Sequence, residues 1–217
     1  MFLTLLLHRG VTSLVVASLL AAVVYGAMVG AIAADPACGS TITASTVLTG
    51  DLDCTGFTGT AITIGADGVT LDGGGFRIIA PNAATGIYLP GRSGTILTNL
   101  SIDAVMAVYV QAGGGNEIAD VDVSWGGGSA TGWGVYVNGS SNNTTTDLTA
   151  TGRIHGIQLA GASSGNTIRS NTISGNQYGI YGLSNTGQGN LFLDNDLTDN
   201  SYGAWPSAPT RPSRTPT

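Results

Sequence analysis

From Ala61 to Trp205 the apolar positions follow no helical period. They fall in short β-branched runs with alternate apolar and polar residues, divided by Gly, Asn, Ser and Asp. Such runs predict strands joined by turns. A small residue opens each of a series of related segments: Ala61-Ile62-Thr63-Ile64, Gly86-Ile87-Tyr88-Leu89, Ala107-Val108-Tyr109-Val110, Gly134-Val135-Tyr136-Val137, Gly156-Ile157-Gln158-Leu159, Gly179-Ile180-Tyr181-Gly182 and Gly203-Ala204-Trp205, recurring every 21 to 27 residues. Behind each except the last comes a second pair five residues apart, from Leu71 and Phe76, Leu97 and Ile102, and Ile118 and Val123 to Thr145 and Ala150, Ile168 and Ile173, and Phe192 and Leu197. The last two units agree best: Asn166, Asn171 and Asn176 return 24 residues later as Asn190, Asn195 and Asn200.

A period near 24 is shorter than a propeller blade of about 40 residues, and the leucine-rich-repeat frame is absent. It suits an all-β solenoid, a parallel β-helix whose coils stack at about 4.8 Å with alternate residues inward. Asn recurring at a corner fits because it tolerates the left-handed backbone and its amide can bond backbone groups or the Asn of the next coil. The Gly ahead of each apolar residue removes a side chain at the strand entry. About six coils are expected over residues 60–205, after an N-terminal cap at 35–59. Residues 206–217, rich in Pro, Ser and Thr, read as a disordered tail, which leaves the last coil with an open strand edge.

Residues 1–34 carry Arg9, then an apolar stretch from Val11 to Ala33 closing on Ala31-Ile32-Ala33. This pattern predicts an export signal, with retention as a membrane anchor the alternative. Both place the rest outside the cytoplasm, secreted or at the cell surface. There Cys38 and Cys54 can form a disulfide across the cap, contributing about 3 kcal/mol in the chain-entropy description.

The YGI segments and the GNTIxxNTIxxN unit resemble the right-handed parallel β-helix repeats of the pectate-lyase-like superfamily, especially the carbohydrate-binding and sugar-hydrolysis group that includes the NosD-type periplasmic proteins. The resemblance implies a right-handed solenoid over roughly residues 60–205. It leaves activity open, because that superfamily includes lyases, glycosidases, epimerases, tailspikes and surface proteins. A role in copper-enzyme maturation does not carry over: outside the leader there is one Met (Met106), one His and two Cys, too few soft ligands for copper.

Aligned coils turn sequence positions into surface columns. One reads Thr63, Tyr88, Tyr109, Tyr136, Gln158, Tyr181, Trp205, and its aromatics make a candidate carbohydrate-binding strip of Tyr88, Tyr109, Tyr136, Tyr181 and Trp205. The competing reading is packing between like neighbours. A second column, Gly73, Asn99, Asp120, Asp147, Ser170, Asp194, brings Asp120 and Asp147 one coil apart, with Asp122 on the same parity. Paired carboxylates can act as acid and base on a glycosidic bond or bind Ca²⁺, and the resemblance favours outward carboxylates on neighbouring coils. Solvation is the plainer explanation, since an acidic solenoid must put its few charges outside. With Arg153 and His155 close behind, Asp120, Asp122, Asp147, Arg153 and His155 make a candidate lyase or hydrolase site, although His155 also reads as a corner residue packing between Trp133 and Tyr178.

Composition sharpens this. With 34 Gly and 9% charged residues the chain looks disordered, yet 42% hydrophobic residues require a core. The net charge is −6, and residues 35–205 hold four Arg against thirteen acids, a net of −9. That excludes a nucleic-acid partner held by a basic surface. No Walker loop, nucleophile elbow, zincin helix or Rossmann fingerprint is present, so no cofactor is expected beyond a possible Ca²⁺. The reading that follows is an exported module binding a polysaccharide or other extended ligand. The alternatives are a polysaccharide lyase or hydrolase and a structural stalk, and any membrane contact would be through an uncleaved leader.

Overall fold

The structure, a computed structural model, describes residues 35–127, 131–183 and 185–205, with backbone alone for Trp205. The expected leader and tail lie outside the described residues. Every described element is a strand, and every pairing is parallel to the strand one coil away. Three sheets run the length of the solenoid. The first comprises Ser40–Ile42, Thr60–Ile64, the ends of Arg77–Pro90 and Ile96–Gln111, Thr131–Asn138, Arg153–Ala160, Tyr178–Gly182 and Tyr202–Trp205. The second includes Thr70–Asp72, Thr144–Thr146, Thr167–Arg169 and Leu191–Leu193, and the third Leu52–Asp53, Thr149–Thr151 and Thr172–Ser174.

The solenoid has about seven turns. The segment expected as a cap is itself the first coil: Ser40–Ile42 pairs with Ile62–Ile64, Thr46–Val47 with Leu71–Asp72 and Leu52–Asp53 with Ile78–Ile79. The Cys38–Cys54 disulfide closes this coil on itself, with Cα atoms 5.6 Å apart. It therefore ties down the first described coil, which among the described residues pairs with a neighbour on one side only.

The apolar repeat becomes stacked columns inside. Ile62, Ile87, Val108, Val135, Ile157 and Ile180 are in register and buried, as are Leu71, Leu97, Ile118 and Ile168 of the second sheet. Full burial of each such side chain is worth about 1.5–3 kcal/mol. One register differs from expectation: Ile78, not Phe76, aligns with Ile102, because Gly73-Gly74-Gly75 lengthens that corner.

The strand-entry glycines are required by contact. A Cβ on Gly86 would lie 2.7 Å from the Ala107 carbonyl oxygen, and one on Gly156 2.8 Å from that of Gly179. The corners correct one expectation about Asn. Asn166, Asn171 and Asn176 do not carry the left-handed backbone; the residues before them do, Gly165, Ser170 and Gly175. The Asn side chains turn inward and form ladders. Along Asn116, Asn143, Asn166 and Asn190, each of the first three donates both its backbone N–H and its Nδ2 to the Oδ1 of the Asn one coil on, at 2.8–3.0 Å. Shorter ladders join Asn171 to Asn195 and Asn176 to Asn200. The division of labour is steric: the left-handed residue turns the chain, and the next residue satisfies the backbone groups that the turn leaves inside.

Candidate functional site

Strand alternation sends one set of first-sheet side chains outward, and the parallel register stacks them coil on coil. Tyr88 pairs with Tyr109, Tyr109 with Tyr136, Tyr136 with Gln158 and Gln158 with Tyr181. A second column runs through Met106, Trp133, His155, Tyr178 and Tyr202. The two columns merge into one continuous aromatic ladder. Ring centroids are 5.1 Å apart for Tyr88–Tyr109 and for Tyr109–Tyr136, with interplanar angles of 20° and 11°. The ladder passes from Tyr136 to Trp133 at 5.9 Å, to His155 at 5.9 Å, to Tyr178 at 5.1 Å and to Tyr202 at 4.9 Å. Tyr181 leans against His155 and Tyr178 at 4.9 and 4.8 Å.

The geometry decides what the strip offers. Both faces of the Tyr109 and Tyr136 rings meet neighbouring rings, while Tyr88 has Tyr109 on one side and Thr63 in register on the other, so the half-buried tyrosines turn edges and hydroxyl tips outward. Gln111 and Asn138 pair in a flanking column and Gln158 stands in the tyrosine column itself: the Tyr88 hydroxyl donates to Gln111 Oε1, Asn138 Nδ2 donates to the Tyr109 hydroxyl at 3.3 Å, and Trp133 Nε1 donates to Gln158 Oε1. Burial, and then the neighbouring Tyr109, raises the Tyr136 phenol above its ordinary pKa. For Trp205 only the backbone is described, in register with Tyr181.

The strands of this sheet contain no Asp, Glu or Lys and one Arg, the buried Arg153. A charge-free face in a module of net −9 is a marked segregation. Gln111 and Asn138 did not figure among the sequence candidates, and Gln158 figured only as a member of the tyrosine column. Their signal was there, since Gln111 and Asn138 each follow a strip tyrosine by two residues, the spacing of one strand face.

The five residues of the candidate catalytic cluster sit in different places. Asp120 and Asp147 are exposed at the corner between the second and third sheets, both in the left-handed region with φ of 56° and 51°. The whole column Asn99, Asp120, Asp147, Ser170, Asp194 shares that conformation, which Asn and Asp tolerate better than other side chains. Asp122 lies on the third sheet opposite Thr149, and its Oδ1 accepts the Ser124 N–H at 2.8 Å. His155 is on the outer face of the first sheet, stacked in the ladder. Burial lowers its pKa, and its Nδ1 is buried without a hydrogen-bond partner among the described residues. No group of three or more His, Cys, Asp or Glu side chains among the described residues is arranged to hold a metal ion.

Arg153, expected beside the acids, is instead inside the solenoid and 0% exposed. It occupies the ladder position that Asn176 and Asn200 take in the following coils: its N–H donates to Asn176 Oδ1, as that of Asn176 donates to Asn200. Its Nε donates to the Val123 carbonyl, where Asn176 uses that of Ala150 and Asn200 that of Ile173. The longer side chain reaches one coil further, to the carbonyls of Ala104 at 2.6 Å and Val105 at 3.1 Å. Its guanidinium carbon lies 5.5 Å from the centroid of the Trp125 ring. Burial lowers its pKa to about 10, against the opposing pull of Asp103 and Asp122. A side chain so enclosed cannot reach a substrate on the surface.

A family model described as a right handed beta helix region matches residues 68–209. No curated protein and no solved structure gives a significant match to the chain.

Proposed function

Because the chain belongs to the right-handed β-helix family, whose fold leaves activity open, we propose that it is an exported module that binds a neutral polysaccharide along the aromatic ladder. The observation that carries this is the charge-free face of stacked rings bordered by amides. Outward ring edges are the positive side of the aromatic quadrupole and accept the approach of oxygen lone pairs. Amides and phenols add donors and acceptors suited to hydroxyl groups. A ligand lying along the solenoid meets this chemistry once per coil, at intervals of about 5 Å set by the sheet. An acidic polymer would find no guanidinium or ammonium on this face and an acidic body behind it. Export is supported by the disulfide, since such bonds persist in oxidising compartments.

The test is an array of neutral and acidic glycans, with a depolymerisation screen, on the full chain with and without Ca²⁺. Retention on neutral glycans without turnover is expected. Turnover that Asp120→Asn abolishes, or binding confined to acidic glycans, would overturn the reading.

A further inference from the structure

The ladder holds a second chemistry, independent of any glycan. Tyr88, Tyr109 and Tyr136 stand on three successive coils with rings nearly parallel and centroids 5.1 Å apart. Two of the hydroxyl ends are held by amides, that of Tyr88 by Gln111 and that of Tyr109 by Asn138. All three are partly exposed, so an oxidant reaches them and the rings have room to tilt. Trp133, 5.9 Å from Tyr136, extends the run of oxidisable rings. We propose that these tyrosines are an oxidative modification site at which a one-electron oxidant, of the peroxidase or metal-complex class, joins neighbouring coils through a dityrosine bond.

Two equivalents of oxidant each take one electron from one of two neighbouring phenols, and both phenolic protons leave to water. The two phenoxyl radicals combine through ortho carbons, forming one C–C bond. The hydrogens on those carbons pass through solvent to the two oxygens and restore the phenols. The protein loses two hydrogen atoms and the oxidant gains two electrons. Short ring-to-ring separations let an oxidising equivalent that lands elsewhere on the ladder migrate until it meets a second one, so Tyr109, with a tyrosine on each side, is the central partner. The product is a covalent staple between coils that otherwise share only hydrogen bonds and packing.

The full chain, dilute, would be exposed to light with tris(bipyridine)ruthenium and persulfate. The expected product is a monomer lighter by two hydrogen atoms with dityrosine fluorescence. The chain has no Lys, and its Arg77, Arg92 and Arg153 make tryptic assignment direct. A Tyr88–Tyr109 bond joins peptides 78–92 and 93–153, and a Tyr109–Tyr136 bond leaves peptide 93–153 two hydrogens lighter. Tyr109→Phe keeps a ring in the stack and should bring coupling among the three to background. Should that variant fail to fold by circular dichroism, the double variant Tyr88→Phe with Tyr136→Phe isolates Tyr109 and should show the same loss. Undiminished coupling in the folded variant, or coupling found only between molecules or only at Tyr178, Tyr181 and Tyr202, would overturn the proposal.

Discussion

At the scale of single residues, the two acids with the strongest claim to chemistry also have a conformational reason to be where they are. Asp120 and Asp147 turn a corner in left-handed backbone, and Gly does so at no steric cost. Asp147→Gly should therefore leave stability nearly unchanged, whereas Asp147→Val should cost about 1–2 kcal/mol, read by urea denaturation. Equal losses in both would mean that the carboxylate, not the backbone, matters. Arg153 behaves oppositely. Arg153→Ala abandons the inward carbonyls of Ala104, Val105 and Val123 and should cost about 3 kcal/mol; a loss below about 0.5 kcal/mol, typical of a surface site, would refute its place in the interior. His155 gives a pH signature. Its folded pKa lies below the ordinary 6.5 because of burial, so the unfolded chain binds the proton better. Stability is then full above 6.5 and falls with acidification through the folded pKa. Thermal scans from about pH 7 to about pH 5 should show a loss in the wild type beyond that in His155→Phe, and parallel curves would count against it.

At the scale of elements, the sequence discloses most where one residue type recurs at a fixed interval. The Ile and Val columns and the Asn recurrence were legible because each coil repeats the same steric problem with the same solution. Arg153 was not, because it is an exception within its column: the pattern Gly-Asn of 175–176 becomes Gly-Arg at 152–153, and only the reach across two coils shows the equivalence. The first coil was also hidden, since Thr46–Val47 and Leu52–Asp53 are two residues each and gain their strand character from the neighbour they pair with. The strip of tyrosines could be read from spacing, but the orientation of the rings could not. Whether a column of rings presents faces or edges depends on the centroid separation and the interplanar angle together. The ladders carry their own prediction. Asn143→Ala takes the shared acceptor from the Asn116 N–H and Nδ2, both inside the solenoid, and at about 1–3 kcal/mol per abandoned donor should destabilise by about 2–4 kcal/mol in calorimetry or denaturation. A loss no larger than that of the exposed Asn82→Ala would show that the ladder adds nothing to folding.

At the scale of the whole molecule, few charges, abundant Gly and an acidic balance have one cause. A coil of about 24 residues uses apolar side chains for a narrow core, Gly and Asx for its corners, and uncharged side chains for the first sheet, leaving the acids to corners and the other faces. That segregation gives the proposed site a salt signature. Binding through uncharged edges and amides should change little as ionic strength rises, while a site built on ions should weaken as the Debye length falls from about 10 Å at 0.1 M to about 3 Å at 1 M. Calorimetric titration of the best neutral glycan from the array into the wild type, Tyr109→Ala and Asp120→Asn, each checked for its fold, tests whether the ladder is the recognition surface. Tyr109→Ala should weaken binding by at least about tenfold, or about 1.4 kcal/mol, while Asp120→Asn should bind as the wild type does. Binding lost in Asp120→Asn and kept in Tyr109→Ala would place recognition at the acidic corner instead.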